Sequence, residues 1–536
     1  MKIKNYIILL ALMVTLFSSC FKDLNTVPLD EDEVTSANLF NNLLDYKQFL
    51  AKTYAGLSLT GQEGPAGHPD INVSDEGFSS YLRQYWVHQE IPTDEAIVAW
   101  TDPGLPQYNF QEWTSSSDFA EMMYYRIFYQ ITLCNEFIRN ASDEKLSEKD
   151  LSDADIAEIK IYRDEARLLR ALSYWHALDL FGSVPFVTEE DDLGAFLPQQ
   201  ITKKDLFDYI ESELIDIESG LVDARQNEYG RMDKASAWML LAKLYLNAIV
   251  YTGETKNTEC ITYCNKIIEA GYTLDDRYQN LFWLGNETSS EIIFAIPMDG
   301  INSKTYGGTT FIIHAGTGGS MNDIAPSVLG IDGGWGGHRV TPQFVGLFSD
   351  ITGATDTRAM FYTDGQTLEV DDYSQFSNGY AIDKFRNSWI SEDGNDTILG
   401  SNQTFVDTDF PLFRLADVYL MYAEATLRGG TGGDVTTALG YVNDLRERAY
   451  NDESGNITEG QLTLDFILDE RGRELYWEAQ RRTDLIRYDK FTGTNYLWAW
   501  KGGVQAGAFT DAKYNVYPIP AAEINANPNL HQNQDY

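Results

Sequence analysis

Basic residues are in short supply in this chain: 40 Lys and Arg face 81 Asp and Glu, for a net charge of −41. A surface so negative repels phosphate backbones, which argues against nucleic acid as a partner and disfavours polyanions such as sulfated glycans. A neutral ligand meets no such barrier. Cysteine is nearly absent. Four occur, and beyond Cys20 only Cys134, Cys260 and Cys264 remain, an odd number that cannot form a full disulfide framework. Cys260 and Cys264 share one face of a helical stretch. Two buried small apolar side chains is the favoured reading over a bridge or metal pair, because no nearby histidine completes a zinc set. Only six histidines occur, in no cluster, and His176 on its amphipathic stretch reads as packed. The chain has no G-x-S-x-G elbow and no H-E-x-x-H helix, which removes two hydrolase signatures. After residue 20 no apolar run is long enough to cross a bilayer.

What is present begins with an export signal. Lys2 and Lys4 precede an apolar stretch from Tyr6 to Phe17, broken only by Thr15, then Ser18, Ser19 and Cys20. The stretch is too short to span a membrane and fits a cleaved signal, residues 1–19, with Cys20 as the lipid-bearing first residue of the mature chain. The protein is therefore expected to act outside the cytoplasm on a membrane surface, held by acyl chains. Residues 20–38 are polar and acidic and read as a lipidated tether.

The remaining residues, 39–536, are 43% hydrophobic by the whole-chain composition and read as one large globular domain. A helical part is expected over 39–290, with a loop insertion at 58–118 rich in Gly, Pro, Asp and Trp. Three stripes carry helical spacing: Leu168, Leu172, Trp175, Leu178; Trp238, Leu241, Ala242, Tyr245, Ile249; and Leu415, Val418, Tyr419, Tyr422, Ala423. Small residues (Ala235, Ala237 and Ala242; Ala416, Ala423 and Ala425) suit close helix contact. The fold class expected is mostly α, a tetratricopeptide-like helical-repeat scaffold with a loop-rich half. Residues 291–536 form a loop-rich and then helical part. Between 300 and 337 lie eleven glycines with Tyr306, Phe311, His314 and Trp335 among them, and no helix is expected there. The Asn-rich tail from Tyr517 is expected to be extended.

Three sequence segments carry a resemblance. Arg167-Leu168-Leu169-Arg170-Ala171-Leu172 leads into Leu180-Phe181-Gly182-Ser183-Val184-Pro185-Phe186-Val187. Glu470-Arg471-Gly472-Arg473-Glu474-Leu475 leads into Glu478, Arg481, Arg482, Asp484, Leu485 and Arg487. The chain closes on Tyr517-Pro518-Ile519-Pro520 and Asn527-Pro528-Asn529-Leu530. With the export signal, these resemble the SusD/RagB family of outer-membrane nutrient-binding lipoproteins over essentially the whole mature chain. Phe21-Lys22-Asp23 resembles the family's signal for the cell exterior. Ala479 departs from the family's usual glycine and is expected to sit harmlessly on a helix. The run from Glu470 to Arg487 is read as structural charges paired along one helix.

The resemblance implies a non-enzymatic lipoprotein that captures an oligosaccharide or peptide and delivers it to a TonB-dependent (SusC-like) outer-membrane transporter. No cofactor is expected, and Asp75 with Glu76 reads poorly as a metal site because no spaced set of oxygen ligands follows. A sugar is held by an aromatic plate against its C–H face and by planar polar groups on its hydroxyls. By position, Asp75, Arg83 and Trp100 match the family's starch site, with Val98 where a second aromatic is expected. Asp102 is the nearby polar partner, and Tyr306 and Trp335 are plates from the glycine-rich region, Trp335 with glycines on both flanks. The structural alternatives are a core role for Trp100, a salt bridge between Asp75 and Arg83, and a helix cap at Thr93-Asp94-Glu95. The competing functions are a surface glycoside hydrolase, which needs two carboxylates about 5–10 Å apart, a binding lipoprotein for other nutrients, and a scaffold for protein contacts.

Overall fold

The computed structural model describes residues 39–73, 75–192, 194 and 196–536. The export signal, Cys20 and the tether lie outside the described residues. Twelve helices organise the rest: α1 (Leu43–Ala55), α2 (Tyr81–Glu90), α3 (Asp118–Asn140), α4 (Asp153–Phe181), α5 (Lys203–Ile217), α6 (Lys234–Leu246), α7 (Asn257–Glu269), α8 (Gly308–Gly316), α9 (Leu415–Leu427), α10 (Val435–Tyr450), α11 (Leu464–Leu475) and α12 (Arg481–Arg487).

The long helices stack in chain order. α3 packs on α4, α4 on α5, α5 on α6 and α6 on α7; then α7 meets α9 and α9 meets α10, across an excursion of more than 140 residues. This is the repeat-like frame the stripes imply. Leu168, Leu172, Trp175 and Leu178 are buried on α4, and the alanines of α6 and α9 are fully buried where these helices meet. Side-chain caps start the helices: Ser152 with Asp155 makes a capping box for α4, and Asp233 caps α6. The second stripe stops early. α6 ends at Leu246, and Ile249 is 41% exposed beyond it. Cys134, Cys260 and Cys264 are free and buried, as small apolar side chains are.

Three expectations fail. Helix α2 (Tyr81–Glu90) forms inside the stretch 58–118 read as a loop insertion, started by Ser80 as its N-cap and buried along nearly its whole length. Helix α8 forms inside the glycine-rich stretch, because the glycines fall at its ends while Thr309–Ala315 between them is wholly buried. Burial outweighs the entropic cost of the bounding glycines. The charged run does not follow one helix. α11 and α12 are separated by a turn at 476–480 where Trp477 (φ 62°) and Ala479 (φ 60°) are left-handed. Ala479 therefore lies off the helix, at a backbone conformation that suits glycine. The charges are paired nonetheless. Arg471 meets Asp417 and Asp484, Arg481 meets Asp94, Arg482 meets Asp179, and Arg487 meets Glu424 and Asp484. Asp94 and Glu95 are thus committed to this packing and cap no helix. The tail is mainly extended with one short turn of helix, Ala521–Ala526. It is tied down by the Tyr517 hydroxyl donating to the His88 carbonyl and by Asn533 Nδ2 donating to that of Phe181.

The 476–480 turn rests on two buried carboxyl groups. The backbone N–H of Gln480 donates to Glu90 Oε1 (3.2 Å) and that of Trp477 to Glu95 Oε2 (3.2 Å), and Glu90 Oε2 is buried without a partner. The charge of Glu90 disfavours a second one on its neighbour Glu95, so a proton is retained on the pair. Burial raises Glu90 to about 7. A carboxyl raised in the folded state contributes stability that is present below about 4.5 and lost as pH rises through about 7. Glu90→Gln keeps an acceptor for the Gln480 N–H and cannot ionise, so it is expected to gain about 1–2 kcal/mol over wild type at pH 8, with little difference at pH 5. Urea midpoints at the two pH values check this; a wild-type midpoint indifferent to pH between 5 and 8 contradicts it.

Candidate functional site

The site forms where two strands pair. β1 (Ile97–Val98) runs antiparallel to β2 (His338–Arg339), with Ile97 opposite Arg339 and Val98 opposite His338. Each strand adjoins a loop with an indole: Trp100 follows β1 and Trp335 precedes β2. The Arg339 guanidinium, fully buried, locks the junction by donating to the carbonyls of Ile97, Gly337, Tyr373, Gln375 and Asn378. Trp100 Nε1–H donates to the Trp335 carbonyl (3.1 Å), and Gly337 has no side chain because a Cβ there would lie 2.6 Å from the Trp100 ring. That glycine serves the seating of Trp100 in addition to flanking Trp335.

Asp75, Arg83, Trp100, Asp102 and Trp335 line one cleft of about 520 Å³, over a floor that includes Phe78, Ile91, Leu105, Phe119 and Phe311. Tyr306 stands beside it, its ring 6.3 Å from that of Trp335 and tilted by 52°. The volume falls in the range of small-molecule sites. All six sequence-selected residues are thus brought together. Trp100 and Trp335 are half-buried, and Asp75 and Asp102 are exposed at the rim. Val98 is buried in β1 and away from the cleft.

Arg83 is the unusual member. It sits in the first turn of α2, whose N-cap is Ser80. Its guanidinium lies 4.5 Å from the Phe311 ring centroid, and its Nε is buried without a partner. The alternative of a salt bridge to Asp75 is not realised: Asp75 Oδ1 accepts instead from the Gly77 N–H (3.1 Å) and caps a 3-10 turn. Among the described residues no carboxylate lies within ion-pair distance of Arg83. Burial lowers its pKa to about 10, against the more distant pull of Asp75 and Asp102. An unpaired guanidinium with planar donors, two rim carboxylates and two indole plates can grip vicinal hydroxyls and stack on a ring face.

Asp118, Phe311, His314 and His338 belong to this neighbourhood and were not selected from the sequence as site residues. Asp118 and Phe311 line the cleft. His338 is buried under Trp100, with ring centroids 5.4 Å apart. His314 stacks on Trp335. The residue type marked Phe311 and His314 in the glycine-rich stretch; nothing marked His338, because its position depends on the β1–β2 pairing. Among the described residues no three His, Cys, Asp or Glu side chains are grouped as a metal site, and no helix is long and apolar enough to cross a membrane.

Comparison with known proteins gives a consistent result. A model of the SusD family matches residues 355–536. The chain is 35% identical to "Starch-binding protein SusD" of Bacteroides thetaiotaomicron, over 98% of both chains. Among solved structures it is similar to surface glycan-binding protein A from Bacteroides thetaiotaomicron in complex with laminarihexaose. There the identity is 20%, the TM-score 0.67, and 91% of this chain and 98% of that one are covered. The same protein from Bacteroides fluxus gives 19% identity and a TM-score of 0.68 over 92% and 100%. The helical frame and the full-length identity agree: this chain belongs to the SusD family.

Proposed function

We propose that this chain is a surface glycan-binding lipoprotein that captures a neutral oligosaccharide, starch-like in the first instance, in the cleft between Trp100 and Trp335. The observation that carries this reading is the unpaired Arg83 beside two indoles and two rim carboxylates in one open cleft. The full-length relative named for starch binding and the fold relative described with laminarihexaose support a glycan over another nutrient. The net charge of −41 favours an uncharged ligand. Anchoring through Cys20 and delivery to a TonB-dependent transporter complete the proposal, on the strength of the export signal and the family. Capture needs no covalent step.

Calorimetry with maltoheptaose and laminarihexaose tests it. Wild type is expected to bind at least one of the two and release no shorter products. Trp335→Ala and Trp100→Ala are each expected to weaken binding about ten-fold, the loss of a stacked ring being worth about 1–1.5 kcal/mol. Affinity equal to wild type in both variants removes the site; released products favour the glycoside hydrolase.

A further inference from the structure

We propose that His314 sets the plane of the Trp335 indole and is a positioning residue of the ligand site, an inference that rests on the reading of the cleft given above. His314 lies in the last turn of α8 and is 1% exposed. Its imidazole stacks on the indole with centroids 4.9 Å apart and planes 19° from parallel. The imidazole covers one face of the indole, and the half-buried indole lines the cleft.

The backbone around Trp335 is fixed independently of that stack. The N–H groups of Trp335, Gly336 and Gly337 donate to the carbonyls of His314, Thr317 and Ala315 (2.7, 2.8 and 2.8 Å). Three bonds to the end of α8 hold the loop, but they do not fix the torsions of the Trp335 side chain. Tyr306, at 6.3 Å and 52°, touches the indole at an angle and does not lie flat on it. The flat contact comes from His314.

His314 is itself held. Its Nδ1 lies 2.6 Å from the Gly333 carbonyl, which only accepts, so Nδ1 carries the hydrogen. Nε2 is buried without a partner. The exposed Asp332 carboxylate, 4.0 Å from Nδ1, is the charged group that faces the ring. Burial lowers the imidazole's pKa, against the Gly333 carbonyl, Asp332 and the Thr404 backbone, so the ring is neutral at pH 7.5. A neutral stack depends on a flat ring and not on a charge, and an uncharged ring should replace it.

The test uses the full chain at pH 7.5. Without ligand, the near-ultraviolet circular dichroism difference between wild type and Trp335→Ala measures how firmly that indole is held. His314→Ala and His314→Gln are expected to lose most of this signal, although the glutamine can still donate to the Gly333 carbonyl, and His314→Phe is expected to retain it. In calorimetry with maltoheptaose and laminarihexaose, His314→Ala and His314→Gln should bind about 3- to 10-fold more weakly, the cost of ordering one free side chain, with His314→Phe within two-fold of wild type. Recovery by glutamine and not by phenylalanine overturns the proposal, because it assigns the effect to the Gly333 tether. An unchanged dichroism signal in His314→Ala also overturns it. Loss of affinity in Trp335→Ala alone, with His314→Ala binding as wild type, overturns it and leaves the cleft reading standing.

Discussion

Arg414→Ala is expected to cost about 3–5 kcal/mol of folding stability, the range for removing one partner from a buried ion cluster. Arg414 is 1% exposed. Its Nε donates to Glu478 Oε2 (2.6 Å), Nη1 to Glu291 Oε1 (2.9 Å) and Glu474 Oε1 (2.7 Å), and Nη2 to the Glu474 carbonyl (2.7 Å) and Glu478 Oε1 (2.9 Å). One side chain thus ties the start of α9 to α11, to the 476–480 turn and to Glu291. Alanine leaves three carboxylates crowded in the interior with less cation than they need. Arg448, Arg358 and Lys384 remain beside them and lessen the loss. Arg414→Lys keeps the charge but not the five-bond fork, and should fall between alanine and wild type. Urea midpoints measure the series; an alanine variant as stable as wild type means that the cluster does not hold the C-terminal helices.

This cluster and a second one, built on Arg471 and Arg487, set the lower pH limit of the fold. Burial pushes Glu470 up, but Arg358, Arg473 and Arg446 outweigh it and hold the carboxyl at about 2. Glu424, between Arg487 and Arg428, is likewise held at about 2, and Glu474 and Asp417 lie below the usual carboxylate range for the same reason. Carboxyls depressed in the folded state add stability that is complete above about 4.5 and is lost as pH falls toward 2. Arg414→Ala removes one of the cations that hold Glu474 down, so its acid unfolding is expected to begin at a higher pH than that of wild type.

The sequence made the chemistry of this molecule more legible than its geometry. Stripes such as Leu168–Leu178 showed the helical frame because helix periodicity is local. Paired charges near Glu470 were legible because a buried arginine must find a carboxylate. The break between α11 and α12 was not, because the left-handed turn at Trp477 and Ala479 is imposed by contacts with Glu90 and Glu95, almost 400 residues away in the chain. In the site, the residue types marked Trp100 and Trp335, but their meeting depends on a two-residue strand pair spanning more than 230 positions, too short to leave a pattern. The Asp75–Arg83 spacing was readable; that the two do not pair was not, since Asp75 is diverted to the Gly77 N–H by local turn geometry.

That missing pair makes Arg83 the most informative position to change. Arg83→Met is expected to weaken oligosaccharide binding about 30- to 100-fold, the loss of charge-assisted hydrogen bonds worth about 2–3 kcal/mol. It is also expected to raise stability by about 1 kcal/mol. The guanidinium is mostly buried, has no ion-pair partner within reach, and has a pKa depressed by desolvation; a methionine fills the same space over Phe311 without that cost. Arg414 and Arg83 therefore make opposite predictions from the same side chain. The arginine surrounded by carboxylates stabilises the fold, and the arginine left without one is kept at the expense of stability, as residues held for binding are. Calorimetry and urea unfolding on the same Arg83→Met preparation separate the cases. If stability falls and affinity is unchanged, Arg83 belongs to the scaffold; if affinity collapses while the midpoint rises, the cleft keeps an unpaired cation for its ligand.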